Sequence, residues 1–179
     1  GPTFSQRIYI SHIDTARPMV MVTAGYSAGY YYTSELAMHL KCNQILVEHR
    51  YFGRSTPDSL AYDYLDTWQA ATDHHRIIDQ FDDFYTGKWI TTGISKGGQT
   101  VMFHSFFYPE DVDVRVPYVA PLNNATEDLR IYEFLDDVGS RKCRRKIHRF
   151  QKNALKNQEE LIPEFREFSE EKGYTYVHV

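Results

Sequence analysis

No stretch of the 179 residues approaches the roughly 20 consecutive apolar side chains needed to span a bilayer, and the N-terminus lacks the basic start and apolar run of a secretory leader. The chain opens abruptly at Gly1-Pro2 and passes straight into a strand-like run. It therefore reads as a polypeptide from which an upstream segment has been removed, and compartment stays open on these residues. Cysteine is scarce: Cys42 and Cys143 stand about 100 residues apart in unrelated contexts, which excludes a metal site built on paired cysteines. They read as two small apolar side chains of the interior, with a disulfide between them left open. Basic excess is missing too. Lys and Arg number 20 against 24 Asp and Glu, a net charge of -4, so nothing draws the chain as a whole toward nucleic acid or an anionic membrane. No internal repeat and no low-complexity linker is found. No cofactor and no metal is called for.

What is present is an ordinary globular composition, 42% hydrophobic and 25% charged, enough for one core with an appendage. Phe4 to Ile10 alternates as a strand does. Met19 to Thr23 and Gln44 to Glu48 are continuous runs rich in β-branched residues, the pattern of parallel strands covered on both faces. Between them Ser34 is placed to cap a short helix through Leu36, Ala37 and Leu40. From Asp63, apolar positions at Leu65, Trp68, Ala71, His75, Ile78 and Tyr85 predict a long amphipathic helix ending near Gly87. Trp89 to Thr92 is a short strand, Gln99 to Phe107 a helix stopped by Pro109, and Val114 to Val119 another strand of buried type. Strand, helix, strand, helix, strand predicts an α/β fold with a mostly parallel sheet, because parallel neighbours need a crossover that a helix supplies. From Thr126 to Lys172 the pattern is helical: one helix with its better face at Ile131, Leu135 and Val138, a second through Cys143, Ile147, Phe150, Ala154 and Leu161, and a third opened by Pro163 and closed by Gly173. The expected division is residues 1–124 as the N-terminal part of the core and 125–179 as the start of a helical cap.

The run Gly93-Ile94-Ser95-Lys96-Gly97 lies between a strand and a helix, which is the setting of a nucleophile elbow. Small residues at 93 and 97 let the chain turn sharply and lift the Ser95 hydroxyl above the sheet edge. The following helix aims its free N–H groups at the same place, so a developing oxyanion is stabilised there, first by the backbone N–H of Lys96. The second donor is expected after the Met19 to Thr23 strand, from Gly25 or Tyr26. The competing reading is a strand-to-helix turn whose serine merely caps the helix. A catalytic serine also needs a histidine base and a carboxylate, and in this fold both follow it on later strands. Downstream of Ser95 stand only His104, within the next helix, His148, in a basic helix, and His178, the penultimate residue. None is placed as a base should be. His178, with Asp136 or Asp137 as orienter, is the weak exception, and the chain is read as a portion of a longer enzyme.

Other groups have two readings each. Glu48, in Glu48-His49-Arg50-Tyr51-Phe52-Gly53-Arg54-Ser55, sits at the carboxyl end of a buried strand, where it either receives a substrate amine or belongs to a structural turn in which Glu48 and Arg50 pair with neighbours and Gly53 takes an unusual backbone angle. His74-His75 is not a metal pair, since adjacent helix residues face different ways; His75 reads as a satisfied histidine on the packed face. The basic cluster Arg141, Lys142, Arg144, Arg145, Lys146, Arg149 and Lys152 precedes a run of glutamates and reads as solvated helix faces pairing with one another.

Four stretches carry a resemblance: Thr-Ala-Gly-Tyr-Ser at 23–27, Val-Glu-His-Arg-Tyr-Phe-Gly-Arg-Ser at 47–55, Thr-Gly-Ile-Ser-Lys-Gly-Gly at 92–98 and Tyr-Val-Ala-Pro-Leu-Asn at 118–123. Along nearly its whole length the chain resembles the secreted bacterial tripeptidyl aminopeptidases, and its Glu-His-Arg-Tyr-Phe-Gly portion is similar to the prolyl carboxypeptidase and dipeptidyl peptidase family. The resemblance implies an α/β-hydrolase with a helical cap that trims short peptides from a substrate end, exported from the cell, with Ser95 as nucleophile. It implies peptide as the partner and the remainder of the polypeptide as the source of acid and base. A carboxylesterase or lipase on the same elbow, and a non-catalytic binding module that keeps the fold, are the alternatives.

Overall fold

The computed structural model describes residues 3–58 and 61–175. His178 therefore lies outside the described residues. The chain divides into two compact units, Gly1–Leu122 and Asn123–Val179.

The first unit is a five-stranded sheet. Its strands are β1 (Ile8–Ser11), β2 (Met19–Thr23), β3 (Asn43–Val47), β4 (Trp89–Ile94) and β5 (Val114–Tyr118), in the order β1-β3-β2-β4-β5. β2 runs parallel to β3 and β4, β4 parallel to β5, and β1 antiparallel to β3 at one edge. Every residue of β2 and of β3 is buried. The reason lies in the helices: α1 (Glu35–Leu40) covers one face and α2 (Thr67–Phe81) the other. Met19 and Met21 pack with Ile45, Ile77 and Ile78 on the α2 side. Val20 and Val22 pack with Ala37 and Leu46 on the α1 side. A strand buried on both sides has no polar alternation to show, which is why these runs read so clearly. Ser34 caps α1, its side chain accepting from the Ala37 N–H.

Four expectations are corrected. The first strand starts at Ile8, not Phe4, because the residues before it bond elsewhere: the Gln6 amide donates to the Glu48 carbonyl and the Arg7 N–H to Ser55 Oγ. The helix expected from Asp63 begins at Thr67, where the Asp66 side chain accepts from the Gln69 N–H at 2.7 Å, and ends at Phe81. Its packed face is wider than expected: Ala71 and Ile78 are buried as read, His74 is buried beside them, His75 is only half-buried, and Trp68 is exposed. β5 is not a buried strand. Among the described residues it pairs only with β4, so it is a sheet edge, and Val114 and Tyr118 are exposed.

The second unit holds α4 (Leu129–Asp137), α5 (Arg141–Lys156) and α6 (Gln158–Glu171). Pro163 lies inside α6 rather than opening it, while Gly173, at φ +66°, closes it. Arg144 donates to the carbonyls of Asp137, Val138 and Gly139, so part of the basic cluster caps the end of α4 instead of pairing with α6 glutamates. Both cysteines are free; Cys42 is buried, but Cys143 is exposed on α5 and not an interior residue. No described helix is long and apolar enough to cross a membrane.

Candidate active site

β4 ends at Ile94 and α3 (Lys96–Phe107) begins at Lys96, leaving Ser95 alone to make the turn. It does so at φ +56° and ψ -119°, a region that residues with a Cβ occupy only when the surroundings enforce it. Those surroundings are backbone. The Ser95 N–H donates to the Tyr118 carbonyl at 3.0 Å, and its own carbonyl accepts the Gln99 N–H at 2.9 Å as the first bond of α3. A Cβ on Gly93 would stand 2.5 Å from Gly97 C and from Thr23 Oγ1, and one on Gly97 would stand 2.3 Å from the Thr23 carbonyl oxygen. Only glycine allows the strand end, the helix start and β2 to approach so closely. Ser95 itself is exposed, and its side chain makes no cap bond to the helix. The reading of Ser95 as a mere helix cap is thus not what the geometry shows.

The Lys96 N–H, at the first helical position, belongs to the first-turn donors that helix geometry leaves without an intrahelical acceptor. Gly25 is packed against it: a Cβ there would lie 2.7 Å from Gly97 N and 2.8 Å from Lys96 Cβ. The backbone of the loop after β2 and the start of α3 are therefore side by side. A cavity of about 550 Å³ opens alongside, lined by Gly25, Tyr26, Tyr30 and Tyr32 and by Ile94 and Val119.

Glu48 takes the structural role of its two readings. It is wholly buried, and its carboxylate accepts from the N–H groups of Ala28 (2.9 Å), Arg54 (3.0 Å) and Ser55 (3.0 Å) and from the Ser55 hydroxyl (2.8 Å). Arg7 stands 3.8 Å away. With the carboxylate wholly buried and held by four donors, it is not presented to solvent where a substrate amine would approach. Gly53, at φ +54°, is required because a Cβ would sit 2.2 Å from Glu48 Oε1. Arg50 is likewise inward, forked onto Asp73 of α2 by two bonds of 2.7 Å. His49 is buried beside it, and burial together with the nearby Lys96 and Arg50 charges pulls its pKa down to about 4, so the ring is neutral.

Within the first unit, the one histidine downstream of Ser95, His104, is no free base. His104 is wholly buried, its Nε2 2.8 Å from Asp111, and the half-buried His75 bonds the same carboxylate while stacking on Tyr108 at 4.1 Å. His148 lies on α5, and Asp136 and Asp137 end α4, both in the second unit. Among the described residues no group of three or more His, Cys, Asp or Glu side chains is arranged to hold a metal. What sequence reading missed is the aromatic junction of Tyr26, Phe52 and the Lys96 side chain. Its signal was two aromatics in two motifs whose proximity only the sheet order creates.

A mixed sheet in this strand order, with a strand–serine–helix turn at the carboxyl edge, defines the core of an α/β-hydrolase. Solved structures share the fold: the esterase Est1E of Butyrivibrio proteoclasticus with ferulic acid bound (TM-score 0.53, 12% identity, covering 70% of this chain and 57% of that one); a monoacylglycerol lipase of Paleococcus ferrophilus (0.51, 16%, 75% and 52%); and an α/β fold hydrolase of Bacillus anthracis (0.50, 15%, 82% and 57%). The family model of the PS-10 peptidase S37 group matches residues 1–179, and the chain belongs to that family. It is also 36% identical over 176 residues to the prolyl tri/tetrapeptidyl aminopeptidase of Streptomyces mobaraensis, an alignment covering 97% of this chain and 37% of the relative. The chain thus spans little more than a third of the relative's length.

Proposed function

We propose that this chain carries the nucleophile of a serine exopeptidase that releases short peptides from substrate N-termini. The observation that carries the reading is Ser95: exposed, uncapped, and held at positive φ between β4 and α3. In the reaction the Ser95 Oγ bonds to the scissile carbonyl carbon while its proton passes to a base. The carbonyl oxygen takes up the negative charge against the N–H of Lys96 and that of Gly25 or Tyr26, the amine leaves with a proton, and water then hydrolyses the acyl-enzyme. Orienting acid and base come from polypeptide outside these residues, consistent with the relative's greater length. The same missing length would complete the first unit, whose β5 edge is unpaired among the described residues and whose Ile94 and Val119 are 67% and 80% exposed. Residues 1–124 are accordingly core and 125–179 the start of a cap, in an exported enzyme.

A fluorophosphonate probe applied to the chain extended to its relative's length should label Ser95 and nothing in Ser95→Ala. Absence of label on folded protein would sink the assignment. Peptide substrates with a free N-terminus should turn over and their acetylated forms should not, whereas equal rates on both, or on simple esters alone, would favour an esterase. The 179 residues alone should show no turnover.

A further inference from the structure

The loop after β2, which carries the second proposed oxyanion donor, is tied to the sheet at its start by the Ala24 N–H on the Val47 carbonyl (2.9 Å) and then by the Tyr26 carbonyl, which accepts the His49 N–H at 3.1 Å. The Tyr26 side chain projects outward, 55% exposed. There it meets the Phe52 ring edge-on at 5.3 Å, and the Lys96 Nζ stands over both rings, 5.0 Å from the centre of Tyr26 and 4.4 Å from that of Phe52. Phe52 is a fixed support. Its N–H bonds the His49 carbonyl, its carbonyl accepts the Ser55 N–H at 2.9 Å, and the Glu48 carboxylate grips the N–H groups of Arg54 and Ser55 just beyond. Lys96 forms no ion pair among the described residues, and burial pulls its ammonium pKa down. A half-buried cation whose nearest partners are two ring faces is attracted to them by the ring quadrupoles, more strongly as water is removed.

We propose that the Lys96 side chain is a positioning residue: seated on Tyr26 and Phe52, its ammonium holds the loop after β2 against the start of α3. One residue then serves the oxyanion twice, donating its own N–H and keeping the N–H of Gly25 or Tyr26 in register with it. Glu48 acts at one remove, by making the Phe52 support rigid. This inference rests on the reading of Ser95 as nucleophile.

Because the oxyanion exists only after attack, a loosened donor should be felt in kcat and not in substrate binding. In the extended polypeptide acting on a free-amine peptide, Lys96→Met keeps the stem and removes the charge. It is expected to lower kcat roughly ten- to a hundred-fold with KM within about three-fold. Lys96→Arg, whose guanidinium also stacks on rings, should recover most of the loss. Phe52→Leu combined with Lys96→Met should be no worse than Lys96→Met alone, since both break one device. Ser95→Ala run in parallel separates the two ideas: turnover surviving it overturns the nucleophile reading. Turnover abolished by Ser95→Ala but unchanged in Lys96→Met, or lost equally in the Met and Arg variants, overturns the positioning role. In the 179-residue chain the lysine ε-CH2 proton resonances supply a readout free of activity. That of Lys96 should lie upfield of the others and return on Phe52→Leu; an unshifted Lys96 signal would overturn the seating itself.

Discussion

Two neighbouring turns at the carboxyl edge of one sheet are built on opposite principles. After β3, residues 48–55 carry a buried carboxylate, a buried guanidinium and a buried imidazole, and every one is matched: Glu48 by four donors, Arg50 by Asp73, His49 by the Arg50 carbonyl. After β4, Ser95 is strained and its hydroxyl is left without a cap bond. The first turn contributes stability and rigidity; the second costs stability and exposes a reactive group. The difference teaches that charge content is a poor guide to chemistry, because burial converts charged groups into fasteners unless something leaves them unmatched.

The comparison is broken most forcefully at Glu48. Glu48→Ala strands the N–H groups of Ala28 and Arg54 and the Ser55 hydroxyl, while the Ser55 N–H keeps the Phe52 carbonyl, so a loss of about 3–5 kcal/mol is expected in urea denaturation. A loss under about 1 kcal/mol would return Glu48 to the substrate side. Gly53→Ala attacks the same fastener sterically, with strained φ and a Cβ aimed at the carboxylate, and should cost about 2–3 kcal/mol. Protonation tests the buried imidazoles. With folded pKa values near 4 for His49 and 3 for His74, against an ordinary 6.5, the unfolded chain binds more protons between those limits. Stability is therefore full above pH 6.5 and falls as pH drops toward 4, with a further fall toward 3. Denaturation midpoints should show that slope and His74→Gln should flatten it; a pH-independent midpoint over the window would contradict it. The smallest effect has the opposite sign. Ser95→Gly relieves the strained φ and should raise stability by up to about 1 kcal/mol after glycine's own entropic cost. A destabilisation there would mean that the two turns are not opposites.

Legibility differed along the chain for physical reasons. β2, β3 and β4 were plain because helices cover both of their faces, and Ser95 was plain because Gly93 and Gly97 must be glycine for backbone to meet backbone. On α2, Ala71 and Ile78 are buried as read, but the burial of His74 was not legible, since His74 and His75 differ in no local way; α3 brings His104 to within 6.0 Å of the His74 ring. Val114 to Val119 looked buried because it has the residues of a central strand, yet among the described residues it pairs only with β4. Pro163 looked like a helix opener because proline is at home in a first turn, yet α6 starts earlier, at Gln158.

By itself, the sequence determined the order of strands and helices, the serine between two obligatory glycines, and the family. These are properties of short stretches, dictated by sterics and by burial of one segment's own faces. Tertiary structure alone decided what Glu48 is for, which histidine is buried, and that Tyr26, Phe52 and Lys96 meet. Each depends on groups that sheet order brings together from three separate loops, and no spacing along the chain encodes that distance.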